Sequence, residues 1–291
     1  MPSREIALLT NPTAGKGRGA KVRGTALAGL RDAGLVVRDL QGRDAAEALD
    51  LARQCVADGV DAVVVCGGDG MVHHVVQALA TTDTPLGIVP AGSGNDVARY
   101  FDLPRKDTRA AVERVVAGRT RTVDLARSGS QYFVTVLAAG FDAVVNERAN
   151  RMTWPKGQMR YNIATLAELR VFEPLSYTLQ LDDRRVSLEA MLVSVGNGPS
   201  FGGGLRITEG ALLDDGLLDV VIIKPISKLD LVRTFPKLFK GTLVHHPQYE
   251  HHLVRSVTVA APGIVSYADG ERFAPLPLTV ECAPGALTVL V

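Results

Sequence analysis

Asp69 stands among three glycines, in Gly67-Gly68-Asp69-Gly70, directly behind the apolar run Val63-Val64-Val65-Cys66. Such a β-branched run reads as a short buried strand. Beyond Gly70 the apolar residues Val72, Val75, Val76 and Leu79 recur at helical spacing. The stretch predicts a strand, a tight glycine turn and a helix start. A helix N-terminus offers N–H groups and the positive end of its dipole, which suits phosphate. Glycines let phosphate oxygens reach the backbone. A carboxylate in that place repels phosphate unless a divalent cation lies between them. The chemistry that fits is a nucleotide–Mg²⁺ site. A tight βα turn with an N-capping aspartate fits the same eight residues.

Two further loops carry polar residues behind short apolar strands. Residues 6–9 end in Thr10-Asn11-Pro12, followed by Thr13-Ala14 and Gly15-Lys16-Gly17-Arg18-Gly19. No Gly-Lys-Ser/Thr follows at P-loop spacing, so this reads as a flexible cationic loop. Residues 86–89 end in Pro90-Ala91-Gly92-Ser93-Gly94-Asn95-Asp96, with a helix expected from about Asn95. The elements that must position these loops alternate. Another strand is expected at 35–40. Asp44 then caps a helix with Glu47 three residues on, and a further helix is expected at 108–117. Strands alternating with helices to about residue 120 predict a parallel α/β domain. In such sheets ligands gather outside the C-terminal strand ends, and Asn11, Asp69 and Asp96 all fall on that rim.

After Arg119 the pattern changes. Strands are expected at 120–125 and 132–138, helices at 141–150 and 157–171. Strands follow at 175–181, 186–196, 217–223, 256–260 and 276–291. The fold class expected is α/β plus β: residues 1–124 as a parallel α/β nucleotide-binding domain, 125–291 as an antiparallel β domain with a few helices.

Composition sets limits on function. The 291 residues carry a net charge of +1, which removes any global electrostatic case for nucleic-acid binding. No apolar run reaches the length of a membrane-spanning helix, and the start of the chain lacks a signal-peptide core. The three cysteines, Cys55, Cys66 and Cys282, predict buried thiols in a reducing cytoplasm, neither a disulfide framework nor a zinc site. The pairs His245-His246 and His251-His252 match no zinc template and read as a solvated loop. The stretches 154–160 and 235–240 mix aromatic and basic residues. That suits either a membrane interface or core packing with a charged rim.

Taken in order, the motifs are Asn11-Pro12 with its glycine loop, Gly67-Gly68-Asp69-Gly70, Pro90 to Ala98, Val123-Asp124-Leu125, Gly196-Asn197-Gly198 through Gly202-Gly203-Gly204, Asp214-Asp215-Gly216-Leu217-Leu218-Asp219-Val220, and Asp269-Gly270-Glu271. This succession resembles the diacylglycerol kinase catalytic family, especially its bacterial lipid kinases, and covers nearly the whole chain. The resemblance implies an NAD-kinase/diacylglycerol-kinase-like fold. It implies ATP contacts at Asn11, at Gly67, Gly68, Asp69, Gly70, Met71, Val72 and His73, and at Ser93 and Asn95. It implies that Asp69, Asp96 and Asp124 form a carboxylate network holding Mg²⁺ partly through water. A second, structural Mg²⁺ falls to Asp215 and the main-chain carbonyls of Leu212 and Leu217. Asp269 takes the place of the general base, and Glu271 helps to hold metal or nucleotide.

The sequence departs from the family at Met71, where a threonine is usual, and at His73-His74, where Asn-Glu is usual. The Met71 change removes a hydroxyl contact to phosphate. The function implied is phosphoryl transfer from ATP to a lipid hydroxyl, diacylglycerol giving phosphatidic acid. The setting implied is cytoplasmic, with peripheral contact at the inner face of the membrane, a lipid as substrate and no nucleic-acid partner. Oligomeric state is open, a homodimer included. The alternatives are an NAD kinase, a sphingoid- or ceramide-type lipid kinase, and a catalytically weak nucleotide- or lipid-binding regulator.

Overall fold

The structure, a computed structural model, describes residues 4–11, 14–155, 158–171 and 173–291. The chain divides into two units. Unit one runs to Leu125 and also takes in Leu213–Asp215 and Ala283–Val291, while unit two comprises Ala126–Leu212 and Gly216–Cys282.

Unit one opens with β1 (Glu5–Thr10), α1 (Ala14–Asp32), β2 (Val36–Gln41), α2 (Ala45–Ala57) and β3 (Ala62–Gly67). It continues through α3 (Asp69–Leu79), β4 (Leu86–Pro90), α4 (Asp96–Tyr100), α5 (Thr108–Ala117) and the first part of β5 (Thr120–Ser128). The strands lie parallel in the order β2-β1-β3-β4. Every residue of β3 and β4 is buried, as expected of strands covered on both faces. Asp44 caps α2 by accepting the Glu47 N–H at 2.9 Å. The glycines expected in a loop instead lie in α1. Each costs roughly 1 kcal/mol against alanine inside a helix, but Ala26 and Leu30 are fully buried in the unit's core and anchor α1 there. The loop residues Pro12 and Thr13 fall outside the described residues.

Unit two contains β6 (Gln131–Phe133), β7 (Val136–Gly140), α6 (Phe141–Arg151), α7 (Gln158–Val171), β8 (Leu175–Leu181), β9 (Arg184–Ala190), β10 (Leu192–Gly196) and β11 (Leu218–Ile223). After these come α8 (Lys228–Lys240), β12 (Tyr249–Val254), β13 (Ser256–Ala260), β14 (Val265–Ala268), β15 (Glu271–Pro275) and the start of β16 (Leu278–Leu290). One sheet runs β12-β11-β10-β7-β14-β15, antiparallel throughout. A second antiparallel set pairs β16 with β13, β13 with β8 and β8 with β9. Tyr177, Phe133, Leu137 and Leu179 fill the core. The fold class is the α/β plus β arrangement expected.

Several elements differ from expectation. The last strand does not stay in the β unit: Val289 pairs in parallel with Leu86 of unit one, and Thr81 donates its N–H to the Ala286 carbonyl at 2.7 Å. The stretch 186–196 is two strands broken at Met191, because β9 pairs with β8 in one sheet and β10 with β7 and β11 in the other; the apolar run holds no turn residue to announce the break. His251 and His252 lie on a strand, not in a loop. His251 Nε2 is 2.7 Å from Asp219 Oδ1, and His252 Nε2 is 2.7 Å from Glu250 Oε1. The three cysteines are free, and burial pushes the Cys66 thiol up to about 12. Trp154 is 78% exposed, and Leu229, Val232 and Phe239 of α8 are also exposed. Lys156 and Gly157 fall outside the described residues.

Unit two also holds a carboxyl group against a strong desolvation penalty. Asp142, at the start of α6, accepts hydrogen bonds from Ser194 Oγ (3.1 Å) and the Ala143 N–H (2.9 Å). Burial outweighs them and pushes the carboxyl up to about 7. From about pH 4, where an unfolded aspartate ionises, the native state retains the extra proton. Stability is therefore expected to fall as pH rises from about 4 to about 7 on this account. Asp142→Asn should flatten that part of the profile, as urea unfolding at pH 5 and pH 7.5 would show. An unchanged slope in the variant would refute it.

Candidate active site

In unit one the two glycine loops touch backbone to backbone. A Cβ on Gly92 would stand 2.5 Å from the Gly68 Cα, and a Cβ on Gly68 would stand 3.0 Å from the Gly92 Cα. The Ala91 N–H donates to the Gly67 carbonyl at 2.8 Å. Asn95 closes the second loop from a left-handed conformation (φ 54°). Its Oδ1 accepts the Gly92 N–H at 3.1 Å, and its Nδ2 donates to the Gly92 carbonyl at 2.9 Å. Asp69 is the first residue of α3, yet it caps a different helix. Its Oδ1 accepts the N–H groups of Asp96 (2.7 Å) and Val97 (3.4 Å) at the start of α4. The capping role is thus present alongside any role with metal, and it fastens one loop to the other.

The remaining residues of this rim divide by exposure. The Met71 and Val72 N–H groups both donate to the Gly68 carbonyl, at 3.0 and 3.1 Å, and the side chains of Met71, Val72 and His73 are buried. Met71 packs back on Gly67, where a Cβ would meet its sulfur at 2.8 Å. The methionine that replaces the usual threonine is therefore a packing residue here. Asn11 follows β1 and donates its N–H to the Cys66 carbonyl at 3.3 Å. Ser93 is exposed at the tip of its loop.

Asp96 and Asp124 are buried. Arg99 Nε lies 3.4 Å from Asp96 Oδ1, and Asp124 Oδ1 accepts the Gly285 N–H at 2.7 Å. Asp124 also donates its own N–H to the Leu213 carbonyl at 2.6 Å. Among the described residues no three His, Cys, Asp or Glu side chains gather into a group able to hold a metal ion. Leu212 and Asp215 are exposed and Leu217 and Gly216 half-buried in the loop before β11. The neighbouring Asp214, which the sequence reading did not single out, is ion-paired with Arg121 at 2.6 Å.

In unit two Asp269 sits in the β14–β15 turn at φ 53°, followed by Gly270 at φ 87°. Both carboxylate oxygens are held. Oδ2 accepts the Val134 N–H at 3.0 Å, while Oδ1 accepts the Thr135 N–H and the Thr135 hydroxyl, each at 2.7 Å. The holding segment is itself clamped. Asn197 Nδ2 donates to the Val134 carbonyl at 2.9 Å, and the N–H groups of Asn197 and Gly198 donate to the Thr135 carbonyl. Gly196 has no room for a side chain, since its Cβ would stand 2.6 Å from Thr208 Oγ1. The Gly-Asn-Gly motif thus supports the segment that orients Asp269. Thr135 and Val134 were not legible as site residues, because nothing in their own neighbourhood marks them. Glu271 is half-buried at the start of β15.

Comparison with known proteins agrees with this arrangement of motifs. Residues 5–128 match the diacylglycerol kinase catalytic domain, and residues 135–291 match the YegS C-terminal NAD kinase beta sandwich-like domain. The chain is 45% identical over 292 residues to a diacylglycerol kinase of Mycobacterium tuberculosis, covering 98% of this chain and 94% of that one. A diacylglycerol kinase of Bacillus subtilis is 26% identical, over 82% of this chain and 80% of the relative. Among solved structures, a diacylglycerol kinase from Bacillus anthracis shares the fold with a TM-score of 0.81 at 24% identity, covering 100% of this chain and 98% of that one. The chain belongs to the diacylglycerol kinase family and is a phosphotransferase of the lipid-kinase type.

Proposed function

We propose that the protein transfers the γ-phosphoryl group of ATP to the free hydroxyl of diacylglycerol, giving phosphatidic acid. The observation that carries the substrate is the 45% identity, along nearly the full length of both chains, to a protein named diacylglycerol kinase. In this reading the lipid oxygen forms a bond to the γ-phosphorus. The bond from that phosphorus to the β-bridging oxygen breaks, and ADP leaves with its electrons. The hydroxyl proton passes to Asp269, whose carboxylate is already fixed in orientation by three donors. The paired glycine loops and the first N–H groups of α3 cradle the phosphates, with Asn11, Ser93 and Glu271 as further contacts.

The residues fit the nucleotide's Mg²⁺ in one way only. A cage built of protein side chains alone does not suit them, since no three ligating side chains gather among the described residues. An ion carried by the nucleotide's phosphates does suit them, because Mg²⁺ keeps most of its waters and uses few carboxylates. Asp69, Asp96 and Asp124 would hold it, in part through water, and it would neutralise charge on the phosphates. A second, structural ion is assigned to Asp215 and the carbonyls of Leu212 and Leu217.

Contact with the membrane is peripheral in this reading, at its inner face. No described helix is long and apolar enough to cross a bilayer. The exposed Trp154, together with Leu229, Val232 and Phe239 of α8 among Lys228, Arg233, Lys237 and Lys240, supports an interfacial surface.

The test is incubation with labelled ATP and Mg²⁺ against diacylglycerol, a sphingoid base, ceramide and NAD, followed by product separation. Label is expected in phosphatidic acid. Label in a phosphorylated sphingoid base, ceramide or NADP instead would overturn the substrate assignment, and no product from any of the four would favour a regulator.

A further inference from the structure

Asp269 stands on a hairpin that its own sheet holds weakly. β15 lies at the sheet's edge and, among the described residues, pairs with β14 alone. Tyr267 faces Arg272 and Ala268 faces Glu271, and the register then shifts between Tyr267 and Val265. Only those two regular pairs adjoin the turn. Asp269 occupies it at φ 53°, a conformation that costs a non-glycine residue energy and persists only where its surroundings enforce it.

Residues directly opposite each other in an antiparallel pair project to the same face. For Tyr267 and Arg272 that face meets α6, which is anchored by buried Phe141, Ala143, Val145 and Ala149. Glu147 of α6 engages both members of the pair with one oxygen. Its Oε2 accepts the Tyr267 hydroxyl and lies 3.7 Å from Arg272 Nε. Its Oε1 pairs with Arg151, one turn further along α6, at 2.8 Å. Tyr267 is 2% exposed, and burial pushes its phenol up, so the hydroxyl stays a donor. Asn150 of α6 bonds the same hydroxyl. The Tyr267 hydroxyl in turn holds the Glu147 carboxyl below the usual carboxylate range. Arg272 is exposed, and an exposed ion pair adds little stability. What the contact supplies is placement: it ties both strands, just beneath the turn, to a helix.

We propose that Glu147 is a positioning residue for phosphoryl transfer. It clamps Tyr267 and Arg272 on either side of Asp269, and so keeps the turn where the Asp269 carboxylate meets its donors on Val134 and Thr135. This role rests on Asp269 acting as the base.

The test compares Glu147→Ala, Tyr267→Phe, their double variant and Asp269→Asn with labelled ATP and diacylglycerol, each well below its melting temperature. Slack in the placement of a reacting group should lower kcat by roughly 10–100-fold. The KM for ATP should stay unchanged, as it does when an interaction is lost from the transition state alone. The double variant should be no slower than the slower single one, because both remove the same clamp. Glu147→Gln keeps an acceptor for the Tyr267 hydroxyl and should recover most of the rate. Amide exchange at Val134 and Thr135 should quicken in Glu147→Ala, a reading that needs no substrate. If Tyr267→Phe fails to fold, the two variants of the partly exposed Glu147 carry the test. Wild-type kcat in Glu147→Ala, with Asp269→Asn inactive, overturns the clamp and leaves the base in place. Asp269→Asn working within a few-fold of wild type removes the base and the clamp with it. A lower melting temperature with kcat and amide exchange unchanged also overturns the proposal, since Glu147 would then be structural support alone.

Discussion

Asp269→Asn is expected to lower phosphoryl transfer by roughly 10²–10⁴-fold and also to lower the melting temperature. The first effect follows from chemistry, since an amide cannot take the hydroxyl proton at neutral pH. The second follows from the three donors that hold the carboxylate. Whichever way the new amide turns, its NH₂ faces either the Val134 N–H or the pair of donors on Thr135. The Thr135 hydroxyl can rotate away, but a backbone N–H cannot. One buried donor facing another costs about 1–3 kcal/mol, so the substitution is not structurally silent even though the two residues are nearly isosteric. The measurement must therefore be made well below the variant's melting point, with ATP affinity determined on the same sample. If Asp269 is the base, the folded variant binds ATP normally and does not turn over. If it holds the nucleotide's metal, ATP affinity falls together with turnover. If it only shapes the β14–β15 turn, the folded variant works within a few-fold of wild type, and the base assignment is lost.

The strands of unit one were legible because both faces of their sheet are covered, so β3 and β4 appear as unbroken apolar runs. The α5 helix was legible to the residue, since Asp107 caps it and Gly118 ends it. What stayed hidden was pairing over long distance. The return of β16 to Leu86 joins residues about two hundred positions apart, and no local pattern encodes it. The same holds for Asp269, whose partners Val134 and Thr135 lie far back in the chain. α8 was obscured by Pro236 inside it, and β12 by a run of His and Glu that resembles a solvated loop until the Asp219 and Lys224 partners are in place. The glycine motifs were legible as motifs, but their reason was only half so. The sequence suggested close approach of phosphate to backbone as the reason a side chain is unwelcome there; the structure shows that Gly68 and Gly92 approach each other. Asp69, read first for metal, proves also to fasten the second loop to the first.

That mutual approach makes Gly92→Ala the sharpest test of the rim in unit one. A methyl group at Gly92 would lie 2.5 Å from the Gly68 Cα and 2.8 Å from Asn95 Oδ1. Neither neighbour yields cheaply. Gly68 is backbone at the entry to α3, and Asn95 Oδ1 is engaged with the Gly92 N–H. The loops must separate, at a cost of about 1–3 kcal/mol for the added carbon. Separation also strains the bond from the Asp96 N–H to Asp69, which spans the two loops. Stability and nucleotide use should then fall together. The melting temperature should drop by several degrees, and the KM for ATP should rise by on the order of tenfold for about 1.4 kcal/mol of lost binding. Gly24→Ala provides the contrast in the same unit. Gly24 lies in α1 with nothing within 4 Å of the added carbon, so the same chemical change should stabilise by about 1 kcal/mol and leave the KM untouched. If Gly92→Ala melts and binds ATP as Gly24→Ala does, the contact between the loops is not what requires glycine there. The phosphate-approach reading at Gly92 would fall with it, since a Cβ there would then leave ATP binding intact.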